Sequence, residues 1–286
     1  MRLANSAGRL VLVDPAAPER ALDVEAASEG RFSADPQAVY DRWAEFREWA
    51  ADASLEAAQP ISEQSLRAVV PRPPQVFAIG LNYRDHAAES GFDLPAEPVV
   101  FTKYVSSFTG PSGDIVLSPG NVDWEVELVA VIGAGGHHIP ETEGWDHVAG
   151  LTAGQDISDR TTQFAAAPPQ FGMGKSYPGY SPVGPQLVTP DELADRDRLE
   201  LGCEVNGTSV QKGHTGDLVF SVPTLIAKLS AITPLLPGDV IFTGTPAGVG
   251  MGRDPQQFLH DGDVLTTWIT GIGEMRHRFL AAAAPA

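Results

Sequence analysis

The chain has 286 residues, 43% of them hydrophobic, and a formal net charge of −18. This length buries a sizeable core, as one large domain or a small one plus a large one. The acidic balance argues against nucleic acid and anionic membranes as partners, and it requires a locally positive site for any small anionic substrate. One cysteine, Cys203, excludes an internal disulfide and fits a reducing cytoplasm. The opening residues do not read as a signal peptide, and no apolar run approaches the roughly 20 residues needed to span a bilayer.

In chain order, Arg9–Asp14 reads as a short strand. Asp35-Pro36 is expected to open an amphipathic helix, with Asp35 as N-cap and Pro36 in the first turn. Val39, Trp43, Phe46 and Trp49 or Ala50 then share one face. An aromatic stripe of this kind is core or subunit interface rather than a cofactor site. Pro71-Arg72-Pro73-Pro74 marks the expected boundary between a small N-terminal domain, residues 1–72, and a catalytic domain, residues 73–286.

Val76–Gly80 is a short buried strand, and His86 and Glu89 follow it at i, i+3. On a helical turn the two face the same way, and the carboxylate would raise the basicity of the imidazole and fix its tautomer. That makes a general base; the alternative is an incidental surface pair. Residues 82–94 are polar with few apolar anchors, and Gly91 closes the turn. They are expected to form a lid, ordered only with ligand, that carries His86 and Glu89 over the site.

Residues 98–103 and 113–117 continue the strand pattern. Residues 123–133, Asp123-Trp124-Glu125-Val126-Glu127-Leu128-Val129-Ala130-Val131-Ile132-Gly133, read as one buried strand that carries two carboxylates. Alternation puts Glu125 and Glu127 on one face, with Cα atoms roughly 6.6 Å apart, and Trp124, Val126 and Leu128 on the other. Two glutamates so close in a low dielectric need a cation between them or a proton on one. An oxygen-rich site suits Mg²⁺ or Mn²⁺; the alternative is a solvated strand face paired with Lys or Arg. His137 and His138 read as exposed loop histidines whose rings diverge, and residues 143–149 as a modest helix. A strand from residue 148 delivers Asp156 at its end, where a third carboxylate would complete a metal site. Asp159 and Arg160 are expected to pair with each other or with a neighbour, and Gln163 follows about one turn on. Lys175 stands alone among glycine, proline and aromatics. It would bind an anionic substrate or an enolate oxygen, or else snorkel to solvent.

Further on, residues 199–205 and 208–211 form a hairpin about Asn206-Gly207, and Cys203 reads as a small core residue. Ser221 caps a helix that buries Leu225, Ile226, Leu229 and Ile232. Gly244, Gly248 and Gly250 form a glycine-rich loop without the lysine of a phosphate-binding loop, and its N–H groups are expected to approach a substrate. Residues 262–269 and 275–280 read as closing strands.

Five ordered segments together resemble the fumarylacetoacetate hydrolase family. They are Gly80-Leu81-Asn82-Tyr83 with His86 and Glu89, Trp124-Glu125-Val126-Glu127, Gln155-Asp156-Ile157-Ser158, Gly174-Lys175-Ser176 with Pro182-Val183-Gly184-Pro185, and residues 237–250 with Thr-Gly-Thr-Pro at 243–246. The resemblance runs from about residue 75 to about residue 280. It implies an α+β, mainly β fold with a rolled mixed sheet; strand propensity alone gives a β-rich α+β protein. It matches Glu125, Glu127 and Asp156 to the carboxylates that hold Mg²⁺ or Mn²⁺, Lys175 to the lysine beside the metal, and His86 and Glu89 to the pair on a closing segment. It matches Gln163 and Thr245 to substrate-binding residues. Ile79 stands about where the large fumarylacetoacetate-cleaving members carry a further metal aspartate, which points to the short, three-carboxylate branch. The implied activity is metal-dependent hydrolysis of a C–C bond in a 2,4-dioxo acid through an enolate. Decarboxylation of an oxaloacetate-like acid and isomerisation of a hydroxymuconate-type acid are the alternatives on the same site. A non-catalytic Ca²⁺-binding β protein is the alternative of another class. Family members are commonly dimers, and with the Trp43/Phe46 helix face this implies a homodimer.

Overall fold

The structure, a computed structural model, describes residues 1–85 and 94–282. His86 and Glu89, and with them most of the expected lid, lie outside the described residues. The start of that segment does not fit a lid. Asn82 is fully buried, donates to the carbonyls of Phe220 at 3.0 Å and Thr243 at 2.7 Å, and accepts from the Phe220 N–H at 2.8 Å. Tyr83 is buried beside it.

The architecture is α+β and mainly β, as expected, and is organised on Val126–Ile132, a strand buried at all seven positions. Its side chains alternate between two cores. Val126, Leu128, Ala130 and Ile132 join one cluster with Trp124, while Val129 and Val131 join a second. Burial on both faces stabilises each such aliphatic side chain by about 1.5–3 kcal/mol. The strand lies antiparallel between Val148–Gln155 and Val240–Phe242. Val240–Phe242 runs parallel to Val76–Gly80, which pairs with Val99–Phe101 at one end of the sheet. In the other direction the sheet continues through Ser181–Val188 to Arg2–Ser6, Arg9–Asp14, Ala17–Asp23 and Gln59–Pro60. With two side pairings it contains twelve strands among the described residues. Sheet and second core both take residues from either side of the expected boundary at residue 72.

The N-terminal helix begins later than its sequence suggests. Asp35 Oδ1 accepts from the Gln37 N–H at 3.0 Å, which closes a tight local turn instead of capping a helix. A 3₁₀ turn, Tyr40–Arg42, follows, and the α-helix runs Trp43–Ala51. Its aromatic stripe is core: Trp43 and Phe46 are buried, and Phe32 meets Phe46 edge-on at 5.3 Å.

A second sheet of five strands contains the hairpin Glu200–Val205/Thr208–His214 and the closing strands Val264–Ile269 and Gly273–Leu280. Asn206 and Gly207 have φ of 52° and 77°, the pair of positive values that a type I′ turn needs. Ser221 caps Val222–Ser230 by accepting from the Thr224 N–H, and Leu225, Ile226 and Leu229 are buried. Ile232 lies beyond the helix end and is 84% exposed, contrary to the helical pattern. The helix expected over residues 143–149 is a 3₁₀ helix, Glu141–His147, that ends where Val148 enters its strand. The rings of His137 and His138 lie side by side at 3.9 Å instead of diverging, with His138 at φ 57°. Among the described residues no helix is long and apolar enough to cross a membrane.

Candidate metal centre and active-site cavity

The strand expected across residues 123–133 is broken. Val122–Asp123 pairs with Ser158–Asp159, residues 124–125 belong to no strand, and Val126–Ile132 follows. Two buried glutamines stabilise the break. Gln155 Oε1 accepts from the Glu125 N–H and Gln211 Oε1 from the Val126 N–H, both at 2.9 Å. The alternation read from sequence survives, since Trp124, Val126 and Leu128 share the core opposite to the glutamates.

Register brings in the third carboxylate. Val126 pairs with Gln155, and the Asp156 N–H donates to the Glu125 carbonyl at 2.9 Å. Glu125, Glu127 and Asp156 are all buried and present carboxylate oxygens within 4.8 Å of one another. Glu127 Oε2 accepts from the Gly244 N–H at 2.7 Å. Gly244 has φ +100°, and a Cβ there would lie 2.8 Å from Asn82 Cβ, so the loop approaches only as glycine. The glycine loop thus holds acidic side chains. Gly250 and Met251 N–H groups donate to Asp123 at 2.7 and 2.9 Å.

Three cations are interleaved with the carboxylates. Lys175 Nζ bridges Glu125 at 2.8 Å and Asp156 at 2.6 Å. Lys103 Nζ donates to Asp156 at 2.5 Å and to the carbonyl of Tyr180 at 3.1 Å, and also to the carbonyl of Lys175. Arg160 reaches Asp123 at 2.8 Å and Glu125 at 2.7 Å, and its Nη1 donates to Gln163 Oε1 at 2.9 Å. Of the expected pairings of Asp159 and Arg160, Arg160 thus pairs with neighbours, while Asp159 caps the following turn by accepting from the Thr162 N–H and accepts the Ser118 hydroxyl. Burial works against both the Lys175 and Arg160 cations, but their carboxylate partners hold each pKa above its ordinary value. Burial presses Lys103 below its ordinary value despite Asp156. Glu127 is raised well above the carboxylate range by burial, then by Asp156 and Glu125.

These donors fit a hard divalent cation. All three are carboxylates, and with Asp123 they make four acids against the three bases Lys103, Arg160 and Lys175; Glu127 forms no ion pair among the described residues. Oxygens bound to one Mg²⁺ at about 2.1 Å are at most about 4.2 Å apart, so the cluster needs little contraction. Each carboxylate oxygen already held by a cation retains acceptor capacity. Cysteine is absent from the cluster and Cys203 is buried elsewhere in the core, its Sγ donating to Gln211. The crowding of three cations does not match the six to eight oxygen ligands of a Ca²⁺ cage.

A cavity of about 350 Å³ opens onto Glu125, Arg160, Lys175, Gln163 and Thr245, within the range of small-molecule sites. Thr245 Oγ1 accepts from Gln211 Nε2 at 2.8 Å, which leaves its proton for another acceptor. Ile79 lines the same cavity. Sequence reasoning singled out Glu125, Lys175, Gln163 and Thr245, which the structure places on this cavity, and Glu127 and Asp156, which it places beside Glu125. It missed Arg160 as a cavity residue and Lys103 altogether; the one local signal for Lys103 was a lysine at the end of an apolar strand.

Fold and site together define a buried carboxylate centre at the end of a central strand, open to a small-molecule cavity. The fumarylacetoacetate hydrolase C-terminal domain model matches residues 75–280, and the chain belongs to this family. It is 44% identical over 216 residues to human "Oxaloacetate tautomerase FAHD2A, mitochondrial", across 75% of this chain and 69% of that protein. A Mycobacterium smegmatis crystal structure, of a protein provisionally designated HpcE, superposes with a TM-score of 0.95 at 53% identity, covering 99% of this chain and 100% of that one. Maleylpyruvate hydrolase from Sphingobium sp. SYK-6, solved with manganese(II) and pyruvate, superposes with a TM-score of 0.81 at 29% identity, covering 99% of this chain and 100% of that one.

Proposed function

We propose that the chain is a divalent-cation-dependent enzyme that hydrolyses the C–C bond of a 2,4-dioxo acid of the acylpyruvate type. The observation that carries this reading is the buried Glu125/Glu127/Asp156 cluster with Lys175 among its oxygens, beside a cavity. Manganese and pyruvate in the Sphingobium hydrolase support it. The three carboxylates would hold Mg²⁺ or Mn²⁺, which when bound would supply Lewis acidity toward a 2-oxo acid. The Lys175 ammonium faces the oxygen on which negative charge develops. Arg160 holds Glu125 and donates to Gln163 Oε1, so the Gln163 amide N–H groups are the part of that side chain left to donate to a substrate. The Thr245 hydroxyl donates to the substrate carboxylate. His86, oriented by Glu89, takes a proton from water as its oxygen attacks the C4 carbonyl. The C3–C4 bond then breaks, its electron pair forms the pyruvate enolate, and a proton returns to C3. A carboxylate and pyruvate leave. A second reading, keto–enol tautomerisation, moves only the C3 proton; the name of the human relative favours it.

An ultraviolet assay of acetylpyruvate loss with Mg²⁺ or Mn²⁺, repeated with EDTA, tests this function. Metal-dependent formation of pyruvate is expected. Exchange of the C3 proton without cleavage of any acylpyruvate would favour the tautomerase. His86→Ala should lower the hydrolytic kcat by about 10²–10⁴ and leave Mn²⁺ affinity unchanged; unaltered hydrolysis would remove His86 from the mechanism. The reading includes a homodimer in a reducing cytoplasm, with well over about 1,000 Å² buried between protomers. Light scattering at micromolar concentration should return twice 30.3 kDa, and the monomer mass would contradict the dimer.

A further inference from the structure

One buried cation of the carboxylate centre plays no part in the proposed reaction. Lys103 follows the sheet-edge strand Val99–Phe101, and its side chain is buried. An ammonium has three protons, and all of them are used. One goes to Asp156 Oδ1 at 2.5 Å, one to the carbonyl of Tyr180 at 3.1 Å and one to the carbonyl of Lys175. None remains for a substrate. The other oxygen of Asp156, Oδ2, accepts from Lys175 Nζ at 2.6 Å. Asp156 is therefore clamped, with one oxygen on each lysine. The contacts close a ring that runs from the Lys103 ammonium through the Asp156 carboxylate to the Lys175 ammonium, and returns through the Lys175 backbone carbonyl. Neighbouring bonds dock the same segments. The Tyr104 N–H donates to Ser176 Oγ at 3.0 Å, and the Tyr180 carbonyl that takes Lys103 also accepts from the Ile157 N–H at 3.1 Å. Stability is a poor reason for such a lysine, since a buried ion pair is often no more stable than apolar side chains of similar volume.

We propose that Lys103 is a positioning residue: it fixes the Asp156 carboxylate and the Lys175 backbone to one another, and so sets a metal ligand against the ammonium that faces the reacting oxygen. The inference rests on the divalent-cation reading above and adds a residue to it. Without the Lys103 ammonium, the Asp156 carboxylate keeps its Lys175 contact alone among the described residues and can turn about that one anchor. Removing Lys103 then acts on cation binding in two opposite directions. Coulomb's law alone tightens binding, because a positive charge beside the cation has gone. Loss of orientation weakens binding, by the about 10–100-fold usual for groups that hold a ligand in place. For Lys103, orientation outweighs charge.

Calorimetric titration of Mn²⁺ into the metal-free full chain tests this without turnover, in wild type and in Lys103→Met, with the fold of each checked by circular dichroism. Methionine keeps an unbranched side chain of similar length and removes the ammonium. Lys103→Met is expected to bind Mn²⁺ at least about tenfold more weakly than wild type. The sign is decisive, because a lysine that acts only through its charge, or only on the stability of the fold, would leave Mn²⁺ bound as tightly or more tightly. Where Lys103→Met does not fold, Lys103→Gln takes its place with the same threshold. A loss smaller than about tenfold, or tighter binding, in the folded variant would overturn the proposal. Failure of both variants to fold would make Lys103 a residue of folding and would overturn it too. Absence of Mn²⁺ binding by the wild type would instead overturn the divalent-cation reading, and this inference with it.

Discussion

Glu127→Gln should abolish cation binding and turnover while making the metal-free protein more stable. Glu127 is 1% exposed, faces two carboxylates and has the Gly244 N–H as its partner. An amide of the same shape keeps that hydrogen bond and removes the buried repulsion, a trade of function against stability common at binding sites. Loss of groups that merely support a ligand costs about 10–100-fold in metal affinity, so loss of a ligand should exceed about 100-fold. The pH dependence has a definite sign. Burial first, then Asp156 and Glu125, raises the Glu127 pKa above its ordinary 4.5. The folded state therefore binds the proton more tightly than the unfolded chain. Its contribution to stability is present below pH 4.5 and is lost as pH rises through the folded pKa. In EDTA, the melting temperature of the wild type should fall more than that of Glu127→Gln between pH 5 and pH 8. Parallel melting curves, or a less stable variant, would contradict this account of the apo site.

Arg160→Met should destabilise the protein by about 3–5 kcal/mol, the usual cost of leaving buried charge without its partner. Its guanidinium reaches Asp123 through Nε and Nη2, Glu125 through Nη2 and Gln163 through Nη1. Asp123 is fully buried and Glu125 nearly so. Arg160→Lys should recover only part of the loss, because an ammonium cannot span three acceptors in one plane. Urea unfolding of the three proteins measures the effect. An unfolding free energy in Arg160→Met within about 1 kcal/mol of wild type would mean that the pair contributes no more than an exposed one.

How much of this was legible in the sequence depended on how local each signal was. Glu125 and Glu127 stood out because alternation along an apolar run leaves two carboxylates on one face, and Asp156 because it ends a second apolar run. The break at residues 124–125 was not legible, because Gln155 and Gln211, which satisfy its N–H groups, come from 30 and 85 residues away. Arg160 was expected to pair with Asp159 or with a neighbour, but which neighbour was not legible, since the ladder between Val122–Asp123 and Ser158–Asp159 is what brings it to Asp123. Lys103 was silent for the same reason: its partners Asp156, Lys175 and Tyr180 are 53 to 77 residues distant. The helix start at Asp35 failed at short range, where an aspartate closes a turn as readily as it caps a helix. Ile232 kept the helical spacing after the backbone had left the helix.

The central claim is that Glu125, Glu127 and Asp156 jointly bind one divalent cation. Anomalous diffraction from crystals of the full chain soaked in Mn²⁺ tests it most directly. The account predicts one strong peak within about 2.0–2.2 Å of an oxygen from each of the three carboxylates, absent from Glu127→Gln crystals treated alike. Soaked wild-type crystals with no anomalous peak among these residues would contradict it.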